Sequence, residues 1–459
     1  MKILSLFALL IMSFLQLQGQ IWDSKNIDFA LPSQGWRIRA VNENVAWTFG
    51  FTIEDDSFGS WLFTDSEHTC QRTADGGNTW EESSFKPFEQ GAGYICDVEG
   101  VSDQLAFLSY FNYNEGPILY KTTDGGTSWT PVNPGVDVFL NWVQFYDANN
   151  GIAFGDPGAD GFFEIAYTSD GGASWTLIDN NQSIEVSEAD EYGVYGDYAT
   201  SGDYIYTRSD YDRIFYSSNR GRTWQVAEPP SSAAGGLWGL VSNDQADLFA
   251  VYNIDASNEF IVFKRNATSG EWTDITPSNS SGYVTGMASI PGTRTLLLNK
   301  HDDFADDQTF ITLAGFEGGS SWLEVSKNQG YRSGFMGFYS AEVGYACEIP
   351  ASFDNPTDNV FVYNGTPITG LYNQQALDQN LALFPNPAVD HLNLEMEADD
   401  VCDYYIYVHD ISGKLLEKKE IFQSSGIHEC ISIGHLTKGE YTVTISNSVG
   451  FLSQKFVKK

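Results

Sequence analysis

The stretch TADGGNTW, residues 73–80, is a tight turn that this chain repeats. Close copies are TDGGTSW at 123–129 and SDGGASW at 169–175, and SNRGRTW at 218–224 is a looser one. In each copy we expect the Asp or Asn side chain to accept backbone N–H groups, Gly to take positive φ, and Trp to pack under the hairpin. The residues assigned this structural role are Asp75, Trp80, Asp124, Trp129, Asp170, Trp175, Asn219 and Trp224.

The tryptophan of the turn belongs to a longer repeat, at positions 22, 80, 129, 175, 224, 272 and 322. An apolar pair such as Ala46-Trp47 or Ala106-Phe107 follows each one, usually about 24 residues later. The repeats are short β-branched and aromatic runs without a helical period, and about 48 residues suit a four-stranded propeller blade. We therefore predict an all-β fold, a seven-bladed β-propeller over residues 20–370. An all-β solenoid is the alternative.

Ring closure is also readable in the sequence. Ile21-Trp22 matches the strand that follows the turn in other repeats, whereas the last repeat ends near residues 359–363 without such a tryptophan. We predict that the N-terminal strand completes the last blade, which removes exposed sheet edges.

The turns resemble the Asp-box, or BNR, hairpins of sialidase-like propellers. Together with GIAFGDP at 151–157, they resemble the repeat group that includes photosystem assembly factors similar to Ycf48. This resemblance implies a fold and leaves the activity open.

A second domain is predicted at residues 381–459, after a polar linker at 371–380. Its segments LFPNPAVD at 383–390, YIYVHDISGKLL at 405–416 and LTKGEYTVTI at 436–445 resemble the type A sorting domain of Bacteroidetes type IX secretion cargo. The resemblance implies a partner, the outer-membrane export machinery, and a secreted or surface-attached protein. Alternating strands predict a small Ig-like β-sandwich, and an ordinary adhesive Ig-like module is the alternative.

The N-terminus and the charge restrict the partners further. Residues 1–19 have the charged start, apolar run and small residue of a signal peptide, and no later apolar run is long enough to span a bilayer. The net charge of −37 predicts that nucleic acid is not a partner.

The five cysteines are too few for a disulfide scaffold. Cys402 with Cys430 is the predicted disulfide and Cys70 with Cys96 is a second candidate. Free thiols are the alternative.

No catalytic residue can be assigned from the sequence. WRIR at 36–39 lacks the proline of the sialidase arginine segment, and only His68 and His301 lie in the propeller region. A histidine-rich metal site or a Ser-His-Asp triad there is not expected.

The candidate ligand-binding region is the fourth repeat. More residues separate Trp175 from the apolar pair that follows it than in the other repeats. The additional residues predict a longer loop, dense in Tyr and Asp, that would stack sugar rings and bond hydroxyls. A solvated acidic loop with core tyrosines is the alternative. The candidates are Tyr192, Tyr195, Asp197, Tyr198, Tyr206, Arg208, Asp210 and Arg213.

No cofactor is predicted. The acidic stretches 54–61 and 301–307 contain oxygen ligands of the kind Ca²⁺ takes, but neither matches a calcium-loop spacing, so solvated loops are the favoured interpretation.

The leading hypothesis is a non-enzymatic binding propeller for a glycan or a protein. The alternatives are a glycoside hydrolase that uses carboxylates in the channel, and a Ycf48-like assembly factor for an envelope complex. Arg, Tyr and two carboxylates converging at the channel mouth would favour the hydrolase, and an apolar or plainly acidic channel would favour binding.

Deleting residues 381–459 is expected to leave the protein in the periplasm, because the sorting signal is removed. Fractionation followed by immunoblotting measures this, and normal export of the shortened chain would contradict the assignment.

Overall fold

The computed structural model of the 459-residue chain has two compact units, Met1–Pro367 and Ile368–Lys459, each with its own hydrophobic core. It describes residues 21–27, 33–55, 61–63, 70–83, 85, 93–112, 114–230, 235–302, 310–316, 318–319, 321–327, 332–349, 359–363, 375–376, 381–410, 415–446 and 450–459. The predicted signal peptide and most of the predicted linker lie outside the described residues.

In the part of the first unit that the structure describes, the elements are short strands and one 3₁₀ turn at Asn180–Gln182. Its first strands are β1 (Trp22–Asn26), β2 (Ser33–Ala40), β3 (Ala46–Asp55), β4 (Trp61–Phe63), β5 (Cys70–Thr73), β6 (Glu81–Glu82), β7 (Gly93–Gly100), β8 (Ala106–Asn112), β9 (Gly116–Thr122), β10 (Thr130–Val132), β11 (Leu140–Phe145), β12 (Gly151–Pro157), β13 (Phe163–Thr168) and β14 (Thr176–Leu177). The remaining ones are β15 (Gly193–Ser201), β16 (Tyr204–Ser209), β17 (Ile214–Ser217), β18 (Gln225–Ala227), β19 (Gly236–Ser242), β20 (Leu248–Ile254), β21 (Glu259–Arg265), β22 (Trp272–Asp274), β23 (Tyr283–Ser289), β24 (Leu296–His301), β25 (Phe310–Phe316), β26 (Ser321–Lys327), β27 (Ser333–Phe338), β28 (Gly344–Glu348) and β29 (Asn359–Tyr363).

These strands form seven antiparallel sheets, numbered here 1 to 7 along the chain. The sheets are β2-β3-β5-β6 with β4 beside β3, then β7 to β10, β11 to β14, β15 to β18, β19 to β22, β23 to β26, and finally β27-β28-β29-β1. The first strand of each sheet contacts the first strand of the next, and β27 contacts β2. The all-β propeller prediction is confirmed, and the closed ring excludes the solenoid.

The apolar pairs of the sequence repeat lie in the second strand of each sheet and are buried. Members with no exposed surface are Trp47, Phe107, Phe154, Tyr206, Phe249, Leu297 and Tyr345. They fill the space between neighbouring sheets, which is why the repeat is visible in the sequence.

The ring is closed by β1, which pairs antiparallel with β29 and places Trp22 opposite Tyr363. Trp22 has no exposed surface, and its ring lies 5.7 Å from that of Tyr363 and 5.9 Å from that of Phe338. The predicted closure by the N-terminal strand is confirmed.

The repeated turn joins the third and fourth strands of a sheet. Asp124 accepts hydrogen bonds from Ser128 N at 2.9 Å, Ser128 Oγ at 2.6 Å and Thr122 Oγ1 at 2.8 Å, and these bonds lower the pKa of its carboxyl. Gly125 and Gly126 have φ of 70° and 86°, and Gly125 N donates to Gln104 O in the loop between the first two strands. The turn therefore ties two loops of one sheet together.

Asp75, Asp170 and Asn219 repeat this arrangement. The sequence FEGGSSW at 316–322 is similar to the motif, and Gly318 and Gly319 have φ of 69° and 87° there. Glu replaces Asp there, so a search for the Asp motif misses it.

The second unit contains β30 (Gln375–Ala376), β31 (Ala382–Phe384), β32 (His391–Asp410), β33 (Leu415–Ser432), β34 (Gly439–Ser446) and β35 (Gly450–Lys458). They form one hydrogen-bonded network in the order β30-β35-β34-β32-β31, with β33 beside β32. The long β32 pairs with β31 in its first half and with β34 in its second half. A sandwich consists of two packed sheets, whereas these pairings join all the strands in one network. The Ig-like sandwich therefore stays a prediction.

The predicted Cys402–Cys430 disulfide is wrong. Cys430 is a free, exposed thiol opposite Asn393, whereas Cys402 lies opposite Ser424, about 20 Å along β33 from Cys430. A disulfide needs Cα atoms within about 7 Å. Cys70 and Cys96, the second candidate pair, are buried and are not joined by a disulfide.

Trp22→Ala is expected to lower the free energy of unfolding by about 3–5 kcal/mol, because a fully buried indole at the closing pair is lost. Urea denaturation of the mature chain measures it. Trp272→Ala is the control, because this half-buried tryptophan holds the corresponding place in sheet 5, away from the closure. An equal or larger loss for Trp272→Ala would contradict a special role of the closure.

Candidate binding site

Each of the seven innermost strands carries a register shift against its neighbour. In β11, β19 and β27 the shifts fall at Asn141, at Trp238 and at Gly334 with Phe335. A bulge leaves one residue out of the ladder and re-aims its side chain. The centre of the ring is therefore lined by side chains that a regular pleat would place elsewhere.

A group of six residues from sheets 1, 2 and 4, named here the charged cluster, lies at this centre: Arg37, Arg39, Asp97, Glu99, Asp197 and Arg208. Asp197 accepts from Arg208 Nε at 2.5 Å and lies 3.7 Å from Arg37 Nη2. Arg39 faces Asp97 Oδ1 at 3.7 Å and Glu99 Oε2 at 3.9 Å. All three carboxylates are buried.

Aromatic rings hold the arginines in place. The Arg37 guanidinium lies 4.3 Å from the centre of the Phe335 ring, which stacks on Trp238 at 5.7 Å. Arg39 lies 4.3 Å from the centre of the Tyr198 ring. Such contacts stabilise cations that burial has partly deprived of water.

Burial shifts the pKa of two carboxyls and one guanidinium of the cluster. It raises the pKa of Glu99 to about 8 and also raises the pKa of Asp97, with Arg39 opposing both shifts. Burial lowers the pKa of Arg37, although Asp197 opposes the shift. Glu99 is therefore mostly protonated at neutral pH. Its oxygens accept hydrogen bonds from Gln144 Nε2, Phe145 N and the Tyr198 hydroxyl.

Two exposed tyrosines, named here the tyrosine platform, lie on the loops of sheet 4. Tyr192 is 52% exposed and precedes β15, and Tyr211 is 44% exposed between β16 and β17. Asp210 accepts from Tyr192 N at 2.8 Å, and Asp190 accepts from the Tyr211 hydroxyl at 2.6 Å. That second bond raises the pKa of Tyr211 to about 12.

A buried ion pair fixes the platform loop. Glu191 is buried and accepts from Arg213 Nη1 at 2.6 Å and Ser187 N at 2.7 Å. Asp156 accepts from Gly193 N and from Asn141 Nδ2, which connects the loop to β11, the innermost strand of sheet 3. Burial raises the pKa of Asp156 to about 6.

The structure divides the predicted ligand-binding residues into three groups. Tyr192 and Asp210 are exposed on the platform, which Arg213 supports from below. Asp197, Tyr198 and Arg208 belong to the channel centre, and the half-buried Tyr195 packs near Phe139. Tyr206 as a ligand contact is wrong, because it has no exposed surface and its hydroxyl donates to Ala246 O between sheets 4 and 5.

Arg37, Arg39, Asp97, Glu99 and the Trp238–Phe335 pair were not predicted as site residues. One signal was present: Arg37-Ile38-Arg39 and Asp97-Val98-Glu99 alternate charged and apolar residues with the period of a strand. The sequence does not show which strands face the channel, because that depends on how the sheets assemble into a ring.

The structure meets only part of the condition that would favour a hydrolase, which was the convergence of Arg, Tyr and two carboxylates at the channel mouth. Arginines, Tyr198 and carboxylates do converge, but Asp97 has no exposed surface and Asp197 only 3%, so they are not at an open mouth. Within the described ranges, no group of three or more His, Cys, Asp or Glu residues is arranged to hold a metal ion. Residues 56–60 and 303–307 of the acidic stretches lie outside these ranges, so calcium stays untested.

Residues 382–459 match the family "Secretion system C-terminal sorting domain". The C-terminal domain is a type IX sorting domain, and the chain is a secreted or cell-surface β-propeller exported by that system. Among the described residues, no helix has the length and apolarity to cross a membrane.

The chain is similar to two groups of proteins. It is 25% identical over 282 residues to a xyloglucanase of Paenibacillus sp, covering 57% of this chain and 24% of that protein, and 26% identical over 223 residues to xyloglucanase Xgh74A of Acetivibrio thermocellus, covering 45% and 22%. The chain thus spans about a quarter of these relatives. Ycf48 bound to D1 peptide superposes with a TM-score of 0.53 at 16% identity, covering 78% of this chain and 99% of that one. That likeness concerns the fold.

Glu99→Gln is expected to reduce the loss of stability as pH rises. A raised carboxyl pKa means that the folded chain keeps a proton that the unfolded chain releases, so stability falls between about pH 4.5 and pH 8. Urea denaturation at pH 5 and pH 8 compares the wild type with Glu99→Gln. The exposed Glu115→Gln is the control, and an unchanged pH dependence in Glu99→Gln would contradict the prediction.

Proposed function

We propose that this protein is a secreted glycan-binding propeller that does not hydrolyse its ligand. The observation that carries the proposal is the tyrosine platform, where two exposed tyrosines lie on the loops of sheet 4. Asp190 accepts from the Tyr211 hydroxyl, and Asp210 accepts from the backbone of Tyr192. Tyrosine rings stack on the apolar faces of sugars, and carboxylates accept hydrogen bonds from sugar hydroxyls.

Hydrogen bonds hold the backbone of the platform without a ligand. Tyr192 and Asp210 exchange two hydrogen bonds, because Asp210 N also donates to Tyr192 O at 3.0 Å. Glu191 and Arg213 hold the same loop from the buried side. A site ordered in advance loses less conformational entropy on binding.

The xyloglucanase relatives support a glycan as the ligand class. They are similar to only part of this chain, at 25% and 26% identity, so their substrate is a starting probe for the ligand.

A glycoside hydrolase is the second candidate, favoured by the same relatives and by the protonated Glu99, which has the character of a general acid. Its weakness is access, since a hydrolase must bring two carboxyl groups to a glycosidic bond. Glu99 is 6% exposed, and its oxygens accept hydrogen bonds from Gln144, Phe145 N and Tyr198. We therefore place binding first.

Tyr192→Ala and Tyr211→Ala are each expected to weaken glycan binding about tenfold, because each removes one stacking ring. Affinity electrophoresis in gels containing xyloglucan, with other polysaccharides in parallel, measures retention. A reducing-sugar assay on the same samples is expected to show no product.

Tyr339→Ala is the matched control for these variants. Tyr339 is 43% exposed but lies between β27 and β28, at the opposite face of the ring. Equal retention of all variants by every glycan that the wild type binds would reject the platform, and release of reducing sugar would assign the protein to the hydrolases.

A further inference from the structure

We infer that the centre of the ring binds the carboxylate of an acidic sugar between Arg37 and Arg39. The inference rests on the proposed glycan-binding function and names a sugar class for it. Neither guanidinium belongs to the tyrosine platform, so the two sites are tested separately.

The first observation is a pair of like charges. Arg37 and Arg39 are two positions apart on β2, so their side chains leave the strand on the same side. Their side chains are 17% and 26% exposed, so solvent reaches both. Two adjacent cations repel each other unless an anion lies between them.

The second observation is a set of polar atoms without partners. Arg37 Nε, Arg39 Nε and Arg39 Nη2 are buried and find no hydrogen-bond acceptor among the described residues, and Asp97 Oδ1 finds no donor there. The nearest carboxylates lie 3.7 Å from Arg37 and from Arg39, beyond hydrogen-bond distance. Buried donors of this kind are rare in folded proteins, and a ligand is one way to satisfy them.

The charges of the cluster favour a ligand with a single negative charge. Arg37, Arg39 and Arg208 face Asp97, Asp197 and Glu99, and Glu99 is protonated at neutral pH because burial raises its pKa to about 8. Three cations then face at most two anions, within a chain whose net charge is −37. One carboxylate neutralises this excess.

The surroundings of Arg37 favour a sugar as the molecule that bears this carboxylate. A carboxylate matches the planar fork of a guanidinium. The half-buried Trp238 stacks on Phe335, which lies directly against Arg37, and provides an aromatic surface for a pyranose ring. A uronic acid combines the charge and the ring in one residue.

Isothermal titration calorimetry of the full mature chain tests this with trigalacturonate and its methyl ester. The ester keeps the sugar rings and removes the charge, so the unmodified protein is expected to bind trigalacturonate at least tenfold more tightly. Arg37→Gln and Arg39→Gln are each expected to abolish that preference. Arg220→Gln is the control, because Arg220 is an exposed residue in the repeated turn of sheet 4.

The outcomes separate this inference from the proposed function. Equal affinity for acid and ester, or an acid preference that survives Arg37→Gln, overturns the inference while glycan binding stands. Binding of no glycan, charged or neutral, overturns the proposed function and the inference together. Capture of a tripeptide with a free C-terminal carboxylate, and not of trigalacturonate, also overturns the inference, in favour of a peptide ligand.

Discussion

The pairing of β1 with β29 is the constraint on which the rest of the propeller depends. It joins the start of the unit to its last sheet and buries Trp22 against Tyr363 and Phe338. An open ring would leave sheet edges unpaired and would let β2 separate from β27. The channel site needs both of these strands, because Arg37 comes from β2 and its stacking partner Phe335 comes from β27.

Closure also explains the electrostatics. Residues from sheets 1, 2 and 4 meet at the centre, where little water remains to solvate them. Desolvation therefore outweighs the neighbouring arginines and keeps Glu99 protonated at neutral pH, although the chain as a whole is strongly acidic. The platform of sheet 4 differs, since Asp190 and Asp210 are exposed and act through hydrogen bonds.

The local features of the fold were predictable because they depend on residues close together in sequence. The Asp124 turn needs only an acceptor, two residues with positive φ and a hydroxyl, all within seven positions. Two features were enough to predict closure: Trp22 lacks the preceding turn, and the last repeat lacks its tryptophan. The disulfide failed because it required the register of β32 against β33, which places Cys402 opposite Ser424 and Cys430 opposite Asn393. Nearness in one small domain says nothing about register.

By itself, the sequence determined the all-β repeat, the closing strand and the C-terminal sorting domain, because hydrophobic period, turn chemistry and a contiguous family pattern are all local. It also marked the sheet 4 loop by its length, although it grouped the exposed Tyr192 with the buried Tyr206. Only the tertiary structure decided that Arg37, Arg39, Asp97 and Asp197 share one centre. Residues up to 160 positions apart meet there, since ring geometry and strand bulges, rather than sequence spacing, set which side chains face the channel.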